Sequence, residues 1–216
     1  MMDAAVTAFK RVKPNVRIDV GYAGSGCLLS QLAFSRRGDL YIPGEEFYLT
    51  QAKQRGYLTT SQPVGYFEPV LLVQKSNPKG IKTLADLARP GVKVGLGEPG
   101  ACAVGVAAEK LLEQAKLTDA VSKNVVYRAG NVPELGNAVK LKSLDVAIVW
   151  NVTAAQLTSD CDTVPIERSL YEPSLAPIAL LKYTQHQPEA QAFVDFLTGP
   201  EGQRIVAASG MTAATK

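Results

Sequence analysis

Ser25 stands between two glycines, Gly24 and Gly26, at the junction of two differently patterned segments. Val16-Arg17-Ile18-Asp19-Val20-Gly21-Tyr22 alternates apolar and polar residues, and Cys27-Leu28-Leu29-Ser30-Gln31-Leu32 has a helical pattern. A strand that turns through small residues into a helix leaves backbone N–H groups free at the helix start, here with a hydroxyl among them. That is the chemistry of an oxyanion seat, with donors and the positive end of a helix dipole and no charged side chain. Alone, a turn of this composition is more often a structural helix cap. Three further turns share its character. Glu98-Pro99-Gly100-Ala101-Cys102-Ala103-Val104-Gly105 is rich in small residues, Arg128-Ala129-Gly130-Asn131-Val132 places Asn131 as a helix cap, and Ala147 to Asn151 ends an apolar run at Trp150. Each has a packing or capping explanation, since small residues let a helix pack closely, Asn caps helices and a lone Trp is usually core. Four such turns, spread over the chain, point to a shared pocket lined by backbone.

The remaining inventory argues against catalysis. The single His186 lies in a polar segment, Thr184 to Pro188, that reads as a surface loop, and a multi-His metal site is excluded by count. Cys27, Cys102 and Cys161 have no C-x-x-C spacing and fit no zinc motif; at most one internal disulfide could form. Glu45 and Glu46 fall in a first helical turn, where acids complement the dipole. Gly95 to Gly100 matches G-x-G-x-x-G, but Pro99 and the lack of a ribose-binding acid make it a poor dinucleotide fingerprint. Ser25 lacks a base to activate it, and no catalytic residue or directly bound metal is expected.

Strand-like and helix-like stretches alternate, the pattern of an α/β chain with largely parallel sheets. Helices are predicted over residues 3–11, 27–36, 45–56, 83–88, 101–115, 131–142, 189–197 and 201–209. Strands are predicted over 16–22, 39–42, 64–75 (interrupted at Pro69), 92–96, 125–128, 145–150 and 175–182. The apolar run over 145–150 marks a central strand. Crossings near Lys75–Gly80 and Glu172–Pro177 divide the chain into a discontinuous lobe, 1–76 with 176–216, and a second lobe, 77–175.

Composition fits a globular protein, with 46% hydrophobic and 20% charged residues. The net charge of +3 is scattered, without a basic run, which argues against nucleic acid. No apolar stretch is long enough to cross a bilayer. Met1-Met2-Asp3-Ala4-Ala5 does not read as a signal peptide, so the chain is expected to be cytosolic or the trimmed form of an exported protein.

The chain resembles the periplasmic molybdate- and tungstate-binding proteins of ABC importers. The resemblance is carried by Tyr22 to Gly26, Gly38 to Gly44, Glu98 to Gly105, Gly130 to Val132, Val146 to Trp150 and Phe196 to Gln203, and covers nearly the whole chain. It implies a two-lobed type II periplasmic-binding-protein fold, each lobe a mixed, mostly parallel sheet flanked by helices. It also implies a tetrahedral dianion held between hinged lobes, with no cofactor and no enzymatic activity. By position, Ser25 would donate its hydroxyl and N–H, with Gly26 beside it. Val104 and Val132 would donate backbone N–H groups, next to Asn131. Trp150 stands where the family commonly has a ligand-reaching tyrosine. A membrane permease as partner, a periplasmic or extracytoplasmic location and a monomeric state follow from the same resemblance. The family begins with a strand and a Ser-containing loop ahead of the first helix, whereas this chain starts at that helix. Loss of that strand would weaken oxyanion binding and expose a sheet edge. The alternatives are a sensor domain of a transcription regulator of the LysR type, a binding protein for sulfate, phosphate or an organic anion, and an enzyme on the fold such as hydroxymethylbilane synthase. Iron binding is disfavoured because no Tyr pair sits at a matching turn.

Overall fold

The computed structural model describes residues 1–214. The chain divides into two compact units, Met1–Phe67 with Leu175–Lys216, and Glu68–Ser174. The first crossing therefore lies at Phe67–Glu68 rather than after residue 76. The reason is local. Pro69 has no N–H to continue a ladder, and the predicted single strand over 64–75 is two strands, β2 (Leu58–Phe67) and β3 (Pro69–Gln74), that serve different sheets.

Unit 1 opens with α1 (Met2–Val12), whose buried Ala5, Val6 and Phe9 form one helical face. Phe9 meets Phe193 and Phe196 edge-on, with ring centroids 5.2 and 5.3 Å away. Those rings belong to α8 (Gln187–Thr198). α2 (Ser25–Ser35) and α3 (Glu46–Gln54) flank the two-residue β1 (Leu40–Tyr41). The unit is completed by β8 (Ser174–Leu181), α9 (Pro200–Ala208) and β9 (Thr212–Ala213). Its sheet has the order β1-β8-β2-β9, with β1–β8 and β2–β9 antiparallel.

Val16–Tyr22, predicted as a strand, is extended chain without a partner. Among the described residues its only backbone hydrogen bond is Val16 N–H to Lys13 O, 3.1 Å. The alternation of apolar and polar residues is present, but a strand also needs a neighbour, and among the described residues this segment joins neither sheet.

Unit 2 holds a five-stranded sheet of order β5-β4-β6-β3-β7. β4 (Val94–Gly97) pairs in parallel with β5 (Val125–Ala129) and β6 (Val146–Trp150), while β3 pairs antiparallel with β6 and with β7 (Cys161–Pro165). Every residue of β6 is buried, and β6 is the middle strand, as its apolar run predicts. The sheets are mixed as expected, with fewer parallel pairs than the chain pattern suggested. The helices of this unit are α4 (Ala103–Gln114), α5 (Thr118–Ser122), α6 (Val132–Lys140) and α7 (Asn151–Ala155), with 3-10 turns at Leu84–Ala88 and Arg168–Leu170. Among the described residues no helix is long and apolar enough to cross a membrane.

Candidate functional site

In unit 1, Gly24 caps α2 in an extended conformation, and the first helical bond runs from Leu28 N–H to Gly24 O at 3.0 Å. The N–H groups of Ser25, Gly26 and Cys27 precede that bond and have no acceptor among the described residues. The Ser25 side chain is 8% exposed and held in place. Its Oγ accepts from the Gly44 N–H at 3.1 Å, which leaves its own proton to donate elsewhere. The Ser25 carbonyl accepts from the Tyr41 hydroxyl at 2.8 Å. Burial, with Tyr48 nearby, raises the Tyr41 pKa well above the usual phenol range, so this group remains a donor. Sequence reasoning gave Tyr41 and Gly44 no role, although both lie in the Gly38–Gly44 segment that carries the family resemblance. The signal was a tyrosine and a glycine after a short strand, readable only once the chain is known to fold back on Ser25. Glu45 caps α3 by accepting from Phe47 N–H at 2.5 Å, which gives that buried carboxylate a structural task.

In unit 2 three turns leave the same edge of one sheet. β4, β5 and β6 are neighbours and mutually parallel, so their carboxyl ends share an edge, and the chain leaves each of them into a helix. Adjacent strands lie about 4.8 Å apart, so these helix starts fall within roughly 10 Å of one another across the sheet. Ligands of open α/β sheets characteristically bind at such an edge.

After β4, the carbonyl of Glu98 accepts from the Ala101 and Cys102 N–H groups at 3.0 and 2.7 Å, and Glu98 N–H reaches Ala129 O at 2.8 Å. The turn is thus closed on itself and tied to β5. Gly105 N–H bonds Cys102 O at 3.0 Å, and the N–H groups of Ala103 and Val104 have no acceptor among the described residues. Val104 is fully buried, so its unpaired N–H is the kind of group that a folded protein leaves for a ligand or a water. α4 can start this close to β4 only because Gly97 and Gly105 lack side chains. A Cβ on Gly105 would lie 2.5 Å from Gly97 O.

After β5, Asn131 is the cap of α6. Its Oδ1 accepts from Glu134 N–H at 3.1 Å, and its Nδ2 donates to Glu134 Oε1 at 2.7 Å. Glu134 Oε2 also takes the Gly130 N–H at 3.1 Å and the Tyr127 hydroxyl at 3.2 Å. The Asn131 side chain holds the turn, and the N–H groups of Asn131 and Val132 have no acceptor among the described residues. After β6, Trp150 is 4% exposed and occupies the cap position of α7. Asn151 ties this corner to β3 by donating to Glu68 O at 2.9 Å and accepting from Glu68 N–H at 3.2 Å.

The structure thus groups Val104, Asn131, Val132 and Trp150 on one sheet edge of unit 2, and places Ser25 and Gly26 with Tyr41 and Gly44 in unit 1. Cys27, Cys102 and Cys161 form no disulfide among the described residues, and burial raises the pKa of Cys161. Among the described residues no cluster of His, Cys, Asp or Glu could hold a metal ion.

Comparison with known proteins finds similar binding proteins. The chain is 26% identical over 205 residues to the molybdate-binding protein ModA of Mycobacterium bovis, covering 94% of this chain and 76% of that protein. The periplasmic molybdate-binding protein of Azotobacter vinelandii superposes with a TM-score of 0.86 at 15% identity, covering 99% of this chain and 94% of that one. The sulfate-binding protein SubI of Mycobacterium tuberculosis superposes with a TM-score of 0.88 at 19% identity, covering 99% and 82%. These two structures carry the type II periplasmic-binding-protein fold, and the similar proteins are binders rather than enzymes. The family profile of the bacterial extracellular solute-binding proteins matches residues 1–212, and the chain belongs to that family.

Proposed function

We propose that this protein is the solute-binding component of an ABC importer and that its ligand is a tetrahedral oxyanion, molybdate or tungstate. It would deliver that ligand to a membrane permease from a periplasmic or extracytoplasmic location. The supporting observation is the unpaired donor set. It comprises the N–H groups of Ser25 and Gly26 with the Ser25 hydroxyl in unit 1, and the N–H groups of Val104 and Val132 in unit 2. A dianion leaving water must exchange its hydration shell for several oriented donors, and neutral donors at helix starts do this without a counter-charge. The relationship to a ModA protein favours molybdate or tungstate within that class.

The Trp150 indole supplies one N–H and no acceptor, in contrast to the tyrosine hydroxyl expected at this position. It would act on selectivity through its size. Differential scanning fluorimetry against molybdate, tungstate, sulfate and phosphate tests the ligand class, followed by calorimetry of Ser25→Ala. A hydrogen bond to a charged group is worth about 1.5–3 kcal/mol, so the substitution should weaken binding roughly 10- to 150-fold. A protein that no oxyanion stabilises, or a Ser25→Ala variant of unchanged affinity, refutes the proposal. Stabilisation by sulfate with none by molybdate would retain the class and replace the ligand.

A further inference from the structure

We propose that one end of unit 1 docks on an anionic phospholipid bilayer, with Phe34 entering the headgroup boundary and Arg36, Arg37, Lys53, Arg55 and Lys182 facing the phosphates. Three segments build this end: the close of α2, the close of α3 and the turn after β8. They meet through the backbone. Leu181 N–H donates to Asp39 O at 2.9 Å, and Lys182 N–H donates to Tyr57 O at 2.9 Å. A Cβ on Gly56, just past α3, would lie 3.7 Å from Lys182 Nζ. Phe34 is 96% exposed. The buried Ser25, Leu29 and Leu32 share one side of α2, and at 3.6 residues per turn Phe34 lies on the opposite side. Its exposure therefore does not depend on what packs against the buried side.

The charge around Phe34 selects the occupant. All five cations are exposed, and among the described residues none of them forms an ion pair. Arg55 Nη2 donates only to Gln51 Oε1, at 2.9 Å, and Lys182 Nζ lies 5.5 Å from the centre of the Tyr183 ring. Tyr183 stands against Tyr57 with ring centroids 5.8 Å apart. Asp39, an acid between these segments, accepts from the Thr184 hydroxyl at 2.6 Å. The whole chain has a net charge of only +3, so this end concentrates positive charge. Cations near a helix C-terminus complement the dipole, which accounts for Arg36, Lys53 and Arg55. It does not account for Lys182, which follows a strand, or for an apolar ring left in water. Clustered Lys and Arg are drawn to an anionic bilayer surface, and an aromatic side chain beside them buries in its interface. An acidic protein would have to match five cations that no neighbour holds in a fixed geometry, whereas a bilayer supplies phosphates that rearrange to meet them. Ser25 is at the other end of α2, roughly 15 Å away, so docking is separate from the proposed ligand site.

Vesicle flotation of the full chain, without oxyanion, tests the proposal. The chain should float with vesicles of phosphatidylcholine mixed with phosphatidylglycerol, remain behind with phosphatidylcholine alone, and release as salt rises. A cation near an anionic surface is worth about fivefold in binding, so Arg36→Gln/Arg37→Gln should weaken it about 25-fold. Phe34→Ser should weaken it about tenfold through lost apolar burial. Lys116→Gln/Lys142→Gln removes the same charge from exposed lysines of unit 2 and should bind as wild type. Phe34→Trp should keep binding, and its emission should shift to the blue on the anionic vesicles. All these positions are exposed, so circular dichroism should show every variant folded. No binding to anionic vesicles, equal binding to neutral ones, a unit 2 variant as weak as the Arg36/Arg37 variant, or a Phe34→Ser variant of wild-type strength would each overturn the proposal. A Phe34→Trp signal that answers polyglutamate but not vesicles would assign this end to an acidic protein and overturn it as well.

Discussion

Replacing Gly105 with alanine tests whether the α4 turn is held by backbone contact. The new Cβ would lie 2.5 Å from Gly97 O, 2.7 Å from Gly97 C and 2.8 Å from Pro99 N. All three are backbone atoms, and two belong to a residue of the fully buried strand β4, so no side chain can swing aside. Overpacking of this kind costs about 1–3 kcal/mol, and backbone neighbours on every side place this site at the upper end. Alanine returns up to about 1 kcal/mol through its better helix propensity. The net loss is about 2 kcal/mol, which for a chain of this size lowers the melting temperature by about 4–8 °C. The displaced helix start carries the Val104 N–H with it, so under the proposed function affinity for an oxyanion should fall together with stability. Gly100→Ala is the control within the same turn. Gly100 has no positive φ and no atom within 4 Å of a new Cβ, so that variant should melt within about 0.5 kcal/mol of wild type. Thermal unfolding followed by circular dichroism, with isothermal titration of the oxyanion, reads both effects. A Gly105→Ala protein that melts and binds as wild type would refute the close-packing account of this turn.

Two further substitutions probe the supports of these turns. Tyr41→Phe removes the hydroxyl that holds the Ser25 carbonyl; it should cost about 1 kcal/mol in thermal stability and, under the proposed function, weaken oxyanion binding, and unchanged affinity would separate Tyr41 from the proposed site. Asp86 accepts from the Lys82 and Thr83 N–H groups at 2.8 and 2.9 Å, and these bonds, more than the nearby Arg89, hold its pKa below the usual carboxylate range. A carboxyl with a lowered folded pKa stabilises the protein above its unfolded value of about 3.9, and that contribution is lost as pH falls through the folded value. Asp86→Asn should therefore lose about 1 kcal/mol at pH 7 through the weakened cap, and its melting temperature should fall less than that of wild type between pH 4 and pH 2, as followed by calorimetry.

Much of the fold is legible in the residues, and the failures share a cause. The apolar run over 145–150 revealed a central strand because full burial leaves no polar face to write. The capping signal at Asn131 was equally plain, since a cap is a local bond between residues a few positions apart. β7 went unread because only its first residue, Cys161, is buried, so it lacks an apolar stripe. Val16–Tyr22 failed the other way, with a strand pattern and no neighbour. The cap role read for Asn131 is seen in its contacts to Glu134. Tyr41 and Gly44 were missed because their task depends on contacts with Ser25, 16 and 19 residues away, which local pattern does not encode.

The acceptors at these turns bear on which anion the proposed site would take. The Ser25 carbonyl already holds the Tyr41 hydroxyl, the Glu98 carbonyl holds two N–H groups, Asn131 Oδ1 holds Glu134 N–H, and Glu45 holds Phe47 N–H. Beside these engaged acceptors, the N–H groups of Ser25, Gly26, Val104 and Val132 have no acceptor among the described residues. A ligand that carries a proton needs an acceptor, and hydrogen phosphate near neutral pH carries one, whereas molybdate, tungstate and sulfate do not. Under the proposed function, an anion held only by these N–H groups would disfavour hydrogen phosphate, because a proton buried without a partner costs about 1–3 kcal/mol. Sulfate offers the same proton-free surface and is separated from molybdate by size alone. The two filters are distinct in the oxyanion panel. The phosphate response should change with pH as the ligand's own proton is gained or lost, while the ratio of the sulfate and molybdate responses should stay constant from pH 6 to pH 8.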